Sequence, residues 1–240
     1  TVRHTGKYGE FLAGYTLSHS FDLSSSLSEQ LDPFNYRATY APSSFDIRQN
    51  FVVSYHSEVP FDRWFHAENR ATQGWVISGI TRFSTGFPVT FYNDGDTSLL
   101  GTQPDGVNPY GVDLLNYTPG PLNLNSNPRN GQTYFNTSLF SVPSLGQLGN
   151  SGRRFFYGPG INNYDIALLK TTRITESKAI QFRLESFNTF NHAQFYGPAS
   201  VQGDISIPTP PTGDCASGGF GCVVSAASPR LLQAGLKFLF

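Results

Sequence analysis

Methionine is absent from the 240 residues, and Thr1 opens a polar segment with no charged stretch leading into an apolar one, so the sequence reads as an internal or processed piece. It also lacks any run of about 20 consecutive apolar residues, which excludes a membrane-spanning helix. Charge is scarce: 16 basic and 17 acidic residues make up 14% of the chain, against roughly 25% in ordinary soluble domains. The near balance of signs points to no nucleic-acid partner. Cysteine is limited to Cys215 and Cys222, close together in a Gly-rich stretch. That pairing suits a small disulfide loop in an oxidising compartment, whereas a metal site needs more ligands nearby.

Aromatic rings are abundant, with 21 Phe and 12 Tyr and an aromatic share of 15%. Few charges and many rings are the composition of a surface that meets lipid. Strands of a membrane barrel show lipid only every second residue, so the mean hydropathy of -0.27 is compatible with a bilayer location.

Period-two alternation recurs in six segments of the length that a tilted membrane strand needs, roughly 9–11 residues. In the first, Phe11, Ala13, Tyr15, Leu17, His19 and Phe21 alternate with Gly14, Thr16, Ser18 and Ser20. The second sets Phe51, Val53, Tyr55 and Val59 against Asn50, Ser54, His56 and Glu58, with Val52 out of pattern. The third keeps one parity from Trp75 through Ile77, Phe83, Phe87 and Val89 to Phe91, and reads as a single strand projecting beyond the bilayer, with Pro88 limiting its pairing. Tyr164, Ile166 and Leu168 form the fourth, Ile180, Phe182 and Leu184 the fifth, joined by the turn at Thr175 to Lys178. Leu232, Ala234, Leu236, Phe238 and Phe240 form the last.

The connectors alternate between long and short, as extracellular loops and periplasmic turns do in outer-membrane barrels. Residues 22–47, 92–162 and 191–229 are thus expected outside, as irregular, hydrated loops rich in Pro, Gly and Asn, and residues 60–74 and 175–178 in the periplasm. The fold class is all-β: residues 1–240 form a fragment of an antiparallel transmembrane β-barrel, with about six long strands and long extracellular loops. Six strands cannot close, since an open sheet edge in hydrocarbon costs several kcal/mol per unpaired backbone group and closed single-chain barrels begin at about eight strands. The missing strands are expected upstream. A secreted β-sandwich for binding or adhesion is the rival, but its strands are usually about five or six residues long.

Several strings, in their order and spacing, resemble the C-terminal end of a TonB-dependent receptor barrel, particularly its Oar-like branch. These are Phe45-Asp46-Ile47-Arg48-Gln49-Asn50-Phe51, Gly74-Trp75-Val76-Ile77-Ser78-Gly79-Ile80, and Thr85-Gly86-Phe87-Pro88. Gly158-Pro159-Gly160, Gln181-Phe182-Arg183-Leu184-Glu185 with Phe187-Asn188-Thr189-Phe190-Asn191-His192, and the terminal Gly235-Leu236-Lys237-Phe238-Leu239-Phe240 complete them. The resemblance implies energised uptake through a barrel of about 22 strands that holds an N-terminal plug, driven by the TonB complex. The plug and TonB box are absent from these residues, and the substrate class (siderophore, saccharide or peptide) is left open.

The terminal Leu236, Phe238 and Phe240 resemble the signal by which the barrel-assembly machinery recognises its clients; an ordinary last strand is the plainer alternative. Arg82, Asp165, Arg183, Glu185 and Lys237 fall on the polar parity and are expected to face the lumen, pairing across strands or touching a plug, because a charge facing lipid costs roughly 2–4 kcal/mol near the midplane. Asn93-Asp94-Gly95-Asp96 resembles a calcium loop but lacks the remaining acidic ligand, and reads as a turn. His4, His19, His56, His66 and His192 are scattered; His56 with Glu58 is the best available acid/base pair, and no catalytic residue or cofactor is assigned. The loop aromatics Tyr110, Tyr117, Tyr134, Phe135, Phe155, Phe156 and Tyr157 suit either ligand contact or packing against the rim.

Overall fold

A computed structural model describes residues 1–25, 35–99, 113–154, 156–195, 197, 200–209 and 214–240. Its frame is a seven-stranded antiparallel sheet in which every strand pairs with its neighbour in sequence: β1 (Val2–Gly6), β2 (Gly9–Leu17), β3 (Gln49–Glu58), β4 (Trp75–Ser84), β5 (Ile161–Arg173), β6 (Ala179–Phe187) and β7 (Leu231–Leu239). The sheet is open, with β1 and β7 as its edges. No helix among the described residues is long and apolar enough to cross a membrane; the long strands, 9 to 13 residues from β2 onward, are what match a bilayer.

The seven strands exceed the expected six because β1 carries Val2, Arg3, His4, Thr5 and Gly6, which give no apolar alternation to read. It pairs with β2 across the tight turn at Lys7 and Tyr8. The rival sandwich falls here, since every other sheet among the described residues has only two strands and none covers the large one.

The long run from Trp75 to Phe91 is corrected as well. It is not one projecting strand: β4 ends at Ser84, and the chain leaves the sheet so that Pro88 and Val89 pair with Phe156 and Tyr157. Phe87 lies beyond that break and does not join the outer band of β4. The departure depends on close backbone crossing, because a Cβ on Gly86 would collide with the Gly158 carbonyl and one on Gly160 with that of Ser84.

Connections sort onto the two ends of the strands. The β1–β2, β3–β4 and β5–β6 connections leave from one end, while those between β2 and β3, β4 and β5, and β6 and β7 leave from the other. The long connectors were expected to be irregular and hydrated, yet they hold the buried core. Val89, Phe91, Leu115, Tyr134, Phe135, Phe140, Phe156, Val201 and Phe220 form one cluster drawn from both of the longer connectors. Backbone bonds from Tyr134 N to Gly221 O (2.7 Å) and from Tyr92 N to Gly203 O (2.9 Å) knit those two connectors into a single cap.

Candidate functional site

Register fixes what each face of the sheet presents. Directly opposed residues in an antiparallel pair point the same way. One face carries Tyr15, Phe51 and Phe83 at one level, Ile166 beside Gly79, then Leu168, Leu184 and Ile77, and finally Trp75, Lys170, Phe182 and Leu236. Tyr15, Phe51, Phe83, Phe182, Leu184 and Leu236 are exposed on it, Leu236 to 75%, with Trp75, Ile77, Ile166 and Leu168 half-buried between them, and an apolar patch this broad marks a surface built to be covered.

Aromatic rings mark both ends of that face. Toward the cap, Phe51 and Phe83 lie 6.3 Å apart, Phe83 and Tyr164 5.6 Å, and Tyr164 and Phe190 4.9 Å. Toward the short turns, Phe61 packs edge-on against Trp64 and Trp75. Trp75 and Phe83 are eight residues apart (83 − 75), about 26 Å of strand at ~3.3 Å per residue. At a tilt of roughly 40° that is about 20 Å along a bilayer normal, so the rings border an apolar band of bilayer height.

Lys170 is the exception that tests the pattern. It lies on the apolar face, but at the short-turn end, where its ammonium donates to the carbonyls of Arg70 (2.6 Å) and Gln73 and sits 5.4 Å from the Trp75 ring centre. A long cationic side chain reaching for the polar boundary in this way is how lysine is tolerated at a membrane edge.

The opposite face collects the strand charges. Arg82 stands across from Asn163 and Val52, and its Nε donates to Asn50 Oδ1 at 3.0 Å. The carboxylate of Asp165 accepts from the Asn188 backbone N–H (2.8 Å) and from Asn163 Nδ2 (3.0 Å), holding the chain as it leaves β6. Arg183 and Glu185 pair at 2.5 Å on the same strand, with Arg183 opposite Gly235, while Lys237 stands across from Gln181. Arg183 is half exposed, so that pair is worth only about 0.2–1 kcal/mol. The five residues named from parity therefore share one face. His56 and Glu58 share it too, but no hydrogen bond or ion pair joins them.

The cap is fastened to the first long connector by an ion pair and a charge-assisted hydrogen bond that sequence reasoning did not find. Arg153 donates through Nη2 to Asp22 Oδ1 (2.6 Å) and to the Asp22 carbonyl (2.8 Å). Burial opposes ionisation of Asp22, but hydrogen bonds from Ser25, Ser43 and Arg153, with the Arg153 charge, outweigh it and hold its carboxyl below the usual range. This fastening is thus present above the ordinary carboxylate range and is lost as pH falls through the lowered value.

The second contact centres on Asp46, which is 2% exposed. Its Oδ2 accepts from the Tyr157 hydroxyl (2.5 Å) and faces His19 Nδ1 (2.9 Å), while Oδ1 accepts from Ser20 N (2.9 Å). Burial, then the bond to Asp46, pushes the Tyr157 hydroxyl well above its usual range, so it stays a donor. Arg48 lies over the same ring at 5.4 Å.

The loop aromatics divide between two roles. Tyr134, Phe135 and Phe156 are cap core, Tyr117 packs against that core, and Tyr157 serves the Asp46 contact; Tyr110 and Phe155 lie outside the described residues. Cys215 and Cys222 are bonded to each other, and the short ring they close carries Phe220 into the core. Such a ring removes about 2–3 kcal/mol of loop entropy from the unfolded chain. Asn93 to Asp96 is a turn in which Asn93 Nδ2 bonds the Gly95 carbonyl, and no group of His, Cys, Asp or Glu among the described residues is placed to hold a metal ion. Leu236, Phe238 and Phe240 continue the apolar face to the chain end, with Phe240 94% exposed and stacked on Phe238.

Comparison with known proteins agrees with this two-faced sheet. A family model described as an outer membrane beta barrel domain matches residues 2–233. No curated protein and no solved structure matches the chain.

Proposed function

We propose, from the premise that the chain belongs to the outer membrane beta barrel domain family, that it forms one stretch of the wall, and the outer cap, of a TonB-dependent importer. Its place is the bacterial outer membrane, where the apolar face of the sheet meets lipid. The carrying observation is a sheet with two open edges and a polar face, surmounted at one end of its strands by a folded cap. Open edges require further strands, since unpaired backbone groups do not survive in hydrocarbon. A barrel widened by those strands has room for a plug, and Arg82, Asp165, Arg183, Glu185 and Lys237 then line its lumen at no cost in lipid. The cap meets the substrate outside, of siderophore, saccharide or peptide class, and the TonB complex acts through the plug from within. Leu236, Phe238 and Phe240, bare at the end of the last strand, present the aromatic terminus that the barrel-assembly machinery reads. The reading assigns no catalytic residue and no cofactor.

Planar-bilayer conductance of the complete barrel tests this. A plugged importer is closed at rest and conducts only after urea has unfolded its plug. A steady open conductance without urea would make the protein a passive pore and end the importer reading.

A further inference from the structure

Above the aromatic row that closes the apolar face, the cap leaves a pocket of a different character. It is lined by Asn125, Asn127, Arg129, Tyr134, His192 and Gln194, among others, and by no carboxylate. Its floor includes Asn162, which stands across from Phe83 on the lipid-facing side of the sheet. His192 packs its ring against Tyr164 and Phe190, two members of the aromatic row. The pocket therefore opens on the outside of the wall, just past the level where acyl chains end.

Its walls are preset while its polar ends are unengaged. Gln194 is buried and clamped to Asn162 in both directions, donating to its carbonyl (2.5 Å) and accepting from its N–H (2.8 Å). Asn125 Oδ1 accepts from the Asn127 backbone N–H at 3.0 Å, fixing the loop. The Arg129 guanidinium, the Asn127 amide and the His192 imidazole make no hydrogen bond or ion pair with the described residues. Amides and a ring suit sugar hydroxyls, and a guanidinium free of any carboxylate suits a phosphate oxygen.

We propose that this pocket binds the phosphorylated saccharide headgroup of an outer-leaflet glycolipid, anchoring the cap to the membrane surface beside the wall. The site depends on the membrane placement of the sheet and not on transport, so it stands or falls separately from the importer reading. Acyl chains of the bound lipid run down over Tyr164 and Ile166, and Arg129 holds the phosphate.

The test uses the complete barrel purified in mild detergent, with retained lipopolysaccharide counted by native mass spectrometry. Wild-type protein is expected to keep the glycolipid through washing, and the double variant Arg129→Gln with Asn127→Ala to lose about thirtyfold or more in retention, as for one charged and one neutral hydrogen bond removed. Lys7→Gln, at the opposite end of the strands, is expected to leave retention unchanged, and resistance to SDS at room temperature checks that each variant is folded. Equal retention by both proteins, or none by wild type, overturns the proposal. So does displacement by free glucosamine phosphate at the concentration at which whole lipopolysaccharide displaces, because that makes the pocket a site for a soluble sugar.

Discussion

Phe91→Ala is expected to unfold the cap while the sheet stays in the membrane, at a cost of about 3–5 kcal/mol. Phe91 is 0% exposed, and its ring centre lies 4.6 Å from Phe135, 4.7 Å from Phe140, 5.1 Å from Phe156 and 5.7 Å from Phe220. Those partners come from both long connectors, so removing the central ring opens a cavity at the junction that joins them. The sheet has no such dependence, because it is held by its backbone ladders and by lipid. Limited proteolysis of membrane-embedded protein reads the difference: cleavage within 113–160 is expected to quicken greatly, with β4 to β7 protected. Phe51→Ala, on the lipid face, is the control that leaves the cap resistant. Unchanged resistance in Phe91→Ala would mean that the cap is held by the Asp22 and Asp46 contacts and not by its aromatic core.

The second large effect is a charge placed on the wrong face. Ile166 lies opposite Gly79 and Ser186, midway between the two aromatic rows, so Ile166→Arg puts a guanidinium at the centre of the apolar band. The expected cost is about 2–4 kcal/mol. His56→Arg, one register step away but on the polar face and opposite Glu10, is expected to cost nearly nothing. A urea titration of folded barrel in lipid vesicles, followed by gel mobility, compares the two. A large loss in His56→Arg with none in Ile166→Arg would reverse the assignment of the faces.

The parts of this architecture that were legible in the sequence are those fixed locally. Tyr164, Ile166 and Leu168 against Asn163 and Asp165 state the two faces of β5 without help from the rest of the chain, because side chains alternate at every step of a strand. Strand β1 was missed because its outward positions are Val2, His4 and Gly6, and the last two carry no apolar signal. The end of β4 was missed for the opposite reason. Phe87, Val89 and Phe91 continue its parity, so the period persists where the pairing stops; the break depends on Gly86 meeting Gly158, which lies far along the chain.

The cap was illegible for a related reason. Phe91, Phe135, Phe156 and Phe220 sit singly among Pro, Gly and Asn, a composition that reads as hydrated loop, and nothing periodic says that they converge. The disulfide was the one local sign that Phe220 belongs to an ordered unit. Asp22 and Arg153 are 131 residues apart, and Asp46 with Tyr157 111, separations at which a single sequence carries no pairing information. Asp46 stood in one of the strings that resemble the receptor family, but the string alone does not say which side chains it meets.

The central claim is that consecutive residues of β5 face lipid and water in turn. Both cysteines of this chain are spent in the disulfide, so single cysteines introduced from Asn163 to Leu168 are the free thiols of this stretch of wall. In a complete barrel reconstituted in vesicles, cysteines at Asn163, Asp165 and Ala167 should react with a membrane-impermeant maleimide. Those at Tyr164, Ile166 and Leu168 should resist it, and a fluorophore attached there before reconstitution should be quenched by spin-labelled acyl chains. Uniform reactivity along the strand, or reactivity without a period of two, would contradict the barrel wall.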